Sequence, residues 1–274
     1  MNPSYDSSIP EIGAIQSLKV LIRKRRLVFM LAKNDLVSRY KKTVLGILWA
    51  QLNPLLTTSV IYFVFGRFFN QSTSLKDGYA VYVYTGILFQ ILLLSGITQA
   101  GQSLAGNAAL LLKTRTSPII FSFSSALGNI LNFLIGFTLL IPLAFLTQTR
   151  LSLRILLLPL LLLLLTFFLT GIGMFLSGFY IRFDDFSYLM GAAMMIAAYL
   201  CPIFYPIEIL SDKLRLIVEF NPLTSWVIVI RWMCFADAYV SSYNLFVVFF
   251  SQAIVLALGI TWVRKRWNHY MVLL

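Results

Sequence analysis

Long runs without charge divide this chain. No Asp, Glu, Lys or Arg occurs from Gly78 to Leu112, Thr116 to Thr149, Ile155 to Ile181, Phe186 to Ile207 or Ala238 to Val263. A sixth run, Val44 to Phe69, is broken only by Arg67. A hydrocarbon core about 30 Å thick is crossed by roughly 20 apolar residues in a helix, and each run is long enough. The pattern predicts six transmembrane helices, at about 44–69, 79–103, 119–147, 155–180, 186–207 and 238–263. Asn53-Pro54 falls inside the first. Proline removes a backbone hydrogen bond there, so that span is predicted to start shallow and steepen after Pro54.

Between the last two spans the pattern changes. Glu208, Asp212, Lys213, Arg215, Glu219, Arg231 and Asp237 surround an uncharged core from Phe220 to Ile230. That core is too short to cross, and residues 208–237 fit a re-entrant or interfacial helix pair. Upstream of the first span, residues 1–10 are polar and read as a loose arm. In 11–33, Ile15, Leu18, Ile22, Phe29 and Met30 fall near one helical face, with Arg23, Lys24, Arg25 and Arg26 among them. This predicts a basic amphipathic helix in the membrane interface, and the same residues would also serve a plain topogenic anchor. The fold predicted is an all-α polytopic membrane protein. It comprises an arm and interface helix over 1–43, one six-helix domain over 44–266, and a tail over 267–274.

Composition supports this class: 59% of residues are hydrophobic, 12% are charged, and the mean hydropathy is +0.84. A soluble domain carries about a quarter charged residues. The net charge of +12 has a topological rather than a nucleic-acid reading. With six spans both termini share one side, which then holds fifteen Lys and Arg against seven on the other. The positive-inside bias puts that side in the cytoplasm. No cleavable signal-peptide pattern occurs in the first 18 residues. Cys201 and Cys234 read as buried thiols rather than a disulfide, and His269 as a solvated side chain near the headgroups.

The candidate chemistry is sparse. No GxxxxGK[ST] is present, so no P-loop nucleotide site is expected, and no His, Cys or carboxylate cluster has metal-ligand spacing. Apart from Arg67 near one end, the predicted spans hold no charged group of the kind ion-coupled carriers place at mid-membrane depth. A passive channel, or a subunit driven by a separate ATPase, remains. Two short loops on the predicted cytoplasmic side suit docking: Asn107–Pro118, with Lys113, Arg115 and Pro118, and the loop holding Arg182, Asp184 and Asp185. Short polar connections are also the default in any bundle. Among spans two and three, Gln90, Gln99, Gln102, Asn129 and Asn132 read first as helix-packing groups. Aromatic residues reach 15% and cluster toward the outer half, where most belong to an interfacial belt. Tyr62, Phe65, Tyr82 and Tyr205 are candidates for an inward face on which sugar rings stack.

Several of these pieces occur together in a known order. They are Arg39-Tyr-Lys-Lys-Thr-Val-Leu-Gly-Ile-Leu-Trp-Ala-Gln-Leu-Asn-Pro54, the Lys113 to Pro118 loop, the Arg182 to Asp185 loop, Pro202-Ile-Phe-Tyr-Pro206, Asn221-Pro222 and Arg231. Over about residues 14–266 the chain resembles the permease subunit of type-2 ABC exporters for polysaccharides such as O-antigen, teichoic acid and capsule. The resemblance implies a homodimer above two separate ATP-binding subunits, with ATP and Mg bound there and no cofactor on this chain. It also implies a coupling or gate helix after span two, and an outer gate formed by Pro202, Pro206, Asn221, Pro222 and Arg231. One departure is that Phe183 separates Arg182 from Asp184, where relatives commonly have an Arg-Asp pair.

The function this implies is a channel-forming permease in the bacterial cytoplasmic membrane. A lipid-linked glycan would enter from the inner leaflet, its pyrophosphate met by Arg23, Lys24, Arg25, Arg26, Lys41 and Lys42. A drug or small-lipid efflux permease of the same superfamily is the alternative. An ATP-independent channel and a membrane enzyme rank below it. Partners expected are a second copy, the two ATP-binding subunits, the glycan lipid and membrane lipids, with no nucleic acid.

Overall fold

The computed structural model describes residues 14–72, 78–114 and 116–273. The predicted arm at 1–10, Lys76 and Arg115 lie outside the described residues, as do the side chains of Ile15 and Arg67. Among the described residues twelve α-helices occur in order: α1 Ala14–Arg23, α2 Arg25–Tyr40, α3 Trp49–Ser72, α4 Tyr79–Gly106, α5 Ala108–Thr114, α6 Pro118–Phe137, α7 Leu140–Leu146, α8 Leu158–Arg182, α9 Phe186–Tyr199, α10 Asp212–Phe220, α11 Pro222–Cys234 and α12 Ser242–Leu273. Among the described residues five helical stretches are long and apolar enough to cross a membrane: Gly46–Gly66, Tyr79–Gly106, Pro118–Leu146, Leu153–Arg182 and Ser242–Trp267. The all-α, multi-pass reading therefore stands.

Helix α4 is the axis of the bundle. It is apolar on every face and 72% of its most apolar window is buried, as a helix surrounded by others must be. Helices α6 and α8 flank it, and α12 lies on α8. The α8–α12 contact is backbone on backbone: a Cβ on Gly259 would come 2.3 Å from the Gly171 carbonyl oxygen, and one on Gly171 2.6 Å from Leu256 N. Small residues permit such approach, and close packing is what holds helices together in lipid. Helices α4 and α8 run parallel in close register, with Gly96 against Leu169 and Ala100 against Gly173.

Span one opens on a turn. A short 3₁₀ turn at Gly46–Leu48, opened by Gly46 at φ +54°, leads directly into α3. That helix then continues through Pro54. Ala50, Pro54 and Thr58 form its buried stripe, while Leu56, Val60, Phe63 and Val64 are exposed. Span three is broken between Phe137 and Leu140, where Thr138 and Leu139 N–H groups donate three residues back to Ile135 and Gly136.

Two further boundaries are corrected. Helix α9 ends at Tyr199 rather than near Ile207, because Pro202 and Pro206 cannot donate to a continuing helix. At 14 residues it rises only about 21 Å, short of the hydrocarbon thickness, and the non-helical segment 200–206 follows it. The described part of the predicted tail, residues 267–273, continues α12, and its Trp267 and Tyr270 are buried beside Leu21 and Met174. The interface helix buries Leu21, Val28, Ala32 and Leu36, whereas the predicted Ile22, Phe29 and Met30 are exposed. The face toward α6 and α12 lies beside the predicted apolar one, whose exposed residues are left for lipid, as an interface helix requires.

Helices α10 and α11 meet at 86°. The segment before them starts beside the head of α4, where Tyr79 Oη donates to the Phe204 carbonyl at 2.8 Å. The segment after them lies beside the loop preceding α8: Ser152 N–H donates to the Cys234 carbonyl at 2.9 Å, and Ala236 N–H to that of Arg150 at 3.0 Å. Since α4 and α8 begin at the same end, the pair leaves and returns at that end. Between those points it dips far enough for Trp226 to pack on Phe168 at 5.4 Å, ten residues into α8. This is the re-entrant hairpin.

Candidate functional site

Two ends of the bundle carry the chemistry. At the end where α4 and α8 begin, the non-helical segment 200–206 exposes carbonyls that no helix satisfies, and Arg231 of α11 takes them. Its Nη1 donates to Pro202 O at 2.6 Å, and its Nη2 to Tyr82 O at 3.1 Å and Ile203 O at 3.0 Å. The guanidinium carbon lies 3.4 Å from the centroid of the Tyr82 ring. Tyr82 Oη donates to the same segment, at Pro202 O and Tyr205 O, and Tyr205 Oη to Tyr199 O. Gly86 leaves room for this, because a Cβ there would lie 2.7 Å from Ile203 O.

Arg231 is 6% exposed. No carboxylate pairs with it among the described residues, so carbonyl dipoles and an aromatic face hold its charge. At the start of α11, Pro222 takes the first helical position, and Asn221 caps the helix by accepting from Leu223 N–H at 3.0 Å. The Asn221 amide also reaches Leu200 O at 3.5 Å. Arg154 holds the other end of α11, donating to the Phe235 and Ala236 carbonyls at 2.9 and 2.8 Å. Of the five residues of the predicted outer gate, Arg231 bonds Pro202 and borders one cavity with Pro206 and Tyr82, whereas Asn221 and Pro222 lie at the other end of α11, about 14 Å along the helix. The hairpin borders a cavity of about 650 Å³ lined by Tyr82, Glu208, Glu219, Arg231, Tyr239 and Tyr243, among others.

The aromatic candidates divide. Tyr82 and Tyr205 spend their hydroxyls on backbone, and one face of Tyr82 is covered by Arg231. Tyr62 and Phe65 lie on the exposed side of α3, Tyr62 stacked on Tyr79 at 6.3 Å.

The opposite, basic end holds α1, α2, α5 and the last turns of α12. Arg23, Lys24, Arg25, Arg26, Lys41 and Lys42 are all exposed, with Lys24 at the junction of α1 and α2. The two predicted docking loops also lie at this end. Helix α5 presents Lys113 to solvent and is anchored by buried Leu111, and Pro118 opens α6. Arg182 ends α8, where Phe183 turns extended. The Arg182 guanidinium lies over the Phe183 ring at 5.3 Å, and neither Asp184 nor Asp185 pairs with it among the described residues. Both acids are exposed. The loops are neighbours: Gln102 near the end of α4 donates to Ser187 at the start of α9, at 3.2 Å.

The residue that sequence reasoning missed here is Arg39. It donates to Asp35 at 2.5 Å, to Asn129 at 2.9 Å and to Gln99. Next to it Tyr40 Oη donates to Asn132 at 2.5 Å. The network ties α2 to α4 and α6. An Arg four residues after an Asp, opposite amides on two spans, was the available signal.

Residues 26–235 match the ABC-2 type transporter family. Two proteins of Klebsiella pneumoniae, each named O-antigen export system permease protein RfbA, are similar: one is 27% identical over 74% of this chain and 77% of its own length. The other is 25% identical over 86% and 90%. A protein of the same name from Myxococcus xanthus is 22% identical over 77% and 81%. A buried arginine pinning an unwound, proline-bounded segment at one end, and two adjoining short loops at the other, are thus set in a scaffold whose match runs through most of the chain: this protein belongs to the ABC-2 type transporter family.

Proposed function

We propose that the chain is the channel-forming permease subunit of an ATP-driven exporter of lipid-linked polysaccharide in the bacterial cytoplasmic membrane. It works as a homodimer with two ATP-binding subunits, which carry the ATP and Mg. The basic end faces the cytoplasm and holds both termini, in keeping with the charge bias. The observation that carries the reading is the similarity to O-antigen export permeases over 77 to 90% of their length. The geometry agrees with it. Neighbouring loops at the basic end give a partner one surface to push on, and the Arg231–Tyr82 clamp closes the opposite end on an element with few backbone bonds of its own. The exposed face of α3 supplies apolar surface for the second copy. The glycan lipid enters beside the basic residues of α1 and α2, where Arg23 to Arg26 and Lys41/Lys42 attract its phosphates.

The test is reconstitution. The chain co-purified with an ATPase encoded beside it should form a two-plus-two complex and move a polyprenyl-linked glycan in proteoliposomes only with ATP. Glycan movement without ATP, or no stable complex with any such ATPase, would overturn the proposal.

A further inference from the structure

Beneath α2 at the basic end lies a second cavity, of about 460 Å³, far more than the roughly 30 Å³ that one water occupies. Asn34 and Asp35 of α2, Gln99 and Gln102 of α4, and Ser124 and Ser125 of α6 are among its walls. Amides and hydroxyls, which both donate and accept, dominate this lining. Lys and Arg are absent from it, and the one carboxylate is committed to Arg39. The cation beside its walls, Arg39, is already held by Asp35, Asn129 and Gln99, so a phosphate would have to compete for it. Ser103, Asn107 and Ser124 donate to helix carbonyls, and an acyl chain would leave the further hydrogen-bonding capacity of these amides and hydroxyls unused. A neutral ring edged with hydroxyls meets both conditions. The cavity also reaches the first loop, since its wall residue Asn107 directly precedes α5, and its wall residue Gln102 bonds Ser187 at the start of α9.

We propose that this cavity is a saccharide site, which takes the sugar nearest the lipid while the basic residues outside it meet the phosphates. The inference rests on the polysaccharide-export reading and adds to it where the sugar is recognised. The full chain with its ATP-binding partner, in nanodiscs, is offered polyprenyl pyrophosphate with and without one N-acetylglucosamine, and binding is read by native mass spectrometry. The sugar-bearing lipid should bind on the order of tenfold more tightly, the scale of one net hydrogen bond. Asn34→Leu and Gln102→Leu change exposed positions, and each should shrink that preference while leaving binding of the bare lipid as it was. Equal binding of the two lipids, or a preference that survives both substitutions, overturns the saccharide site and leaves the exporter reading standing. Displacement by equimolar free N-acetylglucosamine overturns the assignment to a lipid-linked sugar. Binding of neither lipid overturns the exporter reading itself.

Discussion

Arg231 stacks on the ring of Tyr82 at 3.4 Å and bonds the carbonyl of that same tyrosine at 3.1 Å. One residue of α11 therefore grips both the side chain and the backbone at the head of α4. Its remaining contacts go to Pro202 and Ile203, so the guanidinium is the shared partner of three elements. Arginine suits the position because its planar fork can stack and donate to several carbonyls at once.

Replacing Arg231 with Met should lower the stability of the purified protein by on the order of 3 kcal/mol, since buried carbonyls lose their donor. Arg231→Lys should rescue little of it, because a point ammonium cannot reproduce the fork. Tyr82→Phe keeps the ring and loses only the hydroxyl, and should cost about 1 kcal/mol. Thermal unfolding in nanodiscs ranks the three. A lysine variant as stable as the parent would show that the charge, and not the fork, holds the segment.

Much of this was legible in the sequence, and the reason is length. Charge-free runs of span length leave the chain little choice in lipid, so the helices were readable from Gly78 or Ala238 onward. What was not readable depends on pairs far apart in sequence. Arg231 could be marked as unusual, but its partners at Tyr82 and Ile203 are set by how α11 folds back. Arg39 read as part of a basic lead-in to span one, because nothing local shows that Gln99 and Asn129 face it. Which apolar residues of α1 and α2 meet protein and which meet lipid was not legible either, for a related cause. Both protein and lipid are apolar, so periodicity alone cannot separate Leu21 and Val28 from Ile22 and Phe29.

The α8–α12 contact should tolerate no added atom. Gly171→Ala or Gly259→Ala would each drive a methyl into facing backbone and should cost about 1–3 kcal/mol, seen as lower folded yield and a lower Tm. Gly191→Ala, which meets nothing within 4 Å, is the matched control and should be silent.

Arg39→Met removes the arginine's bonds to Gln99 and Asn129 and leaves the Tyr40–Asn132 bond between α2 and α6. The helix would then rest on that bond and on Val28, Ala32 and Leu36. A loss of about 2 kcal/mol raises local opening roughly thirtyfold. Trypsin cleavage of the exposed Arg23–Arg26 run should speed up accordingly. Asp35→Asn leaves the bonds to Gln99 and Asn129 in place and should have a smaller effect.

The re-entrant path predicts a simple labelling pattern. With Cys201 and Cys234 replaced by Ala, Lys213→Cys and Asp237→Cys should both react with an impermeant maleimide added outside. Asp184→Cys should react only after the membrane is permeabilised. Protection of the residue-237 thiol from outside would mean that α10 and α11 cross the membrane, which reverses the side of α12.

The predicted docking loops present opposite charges, with Lys113 on one and Asp184 and Asp185 beside Arg182 on the other, and no ion pair among the described residues neutralises them. An ATP-binding partner that seats on both must offer an acidic group to the first and a basic group to the second. Single exposed pairs are worth about 0.2–1 kcal/mol, so Lys113→Ala or Asp185→Ala should weaken assembly only a few-fold. Charge reversal at both positions adds repulsion and should weaken it by on the order of tenfold or more. Because these positions are exposed, stability of the membrane domain should shift by less than about 0.5 kcal/mol. Raising ionic strength should narrow the gap between parent and variants, as screening removes what the charges contributed. Co-purification yield and ATP hydrolysis per complex measure both effects. Undiminished assembly of the double reversal at low salt would move the coupling surface away from these loops.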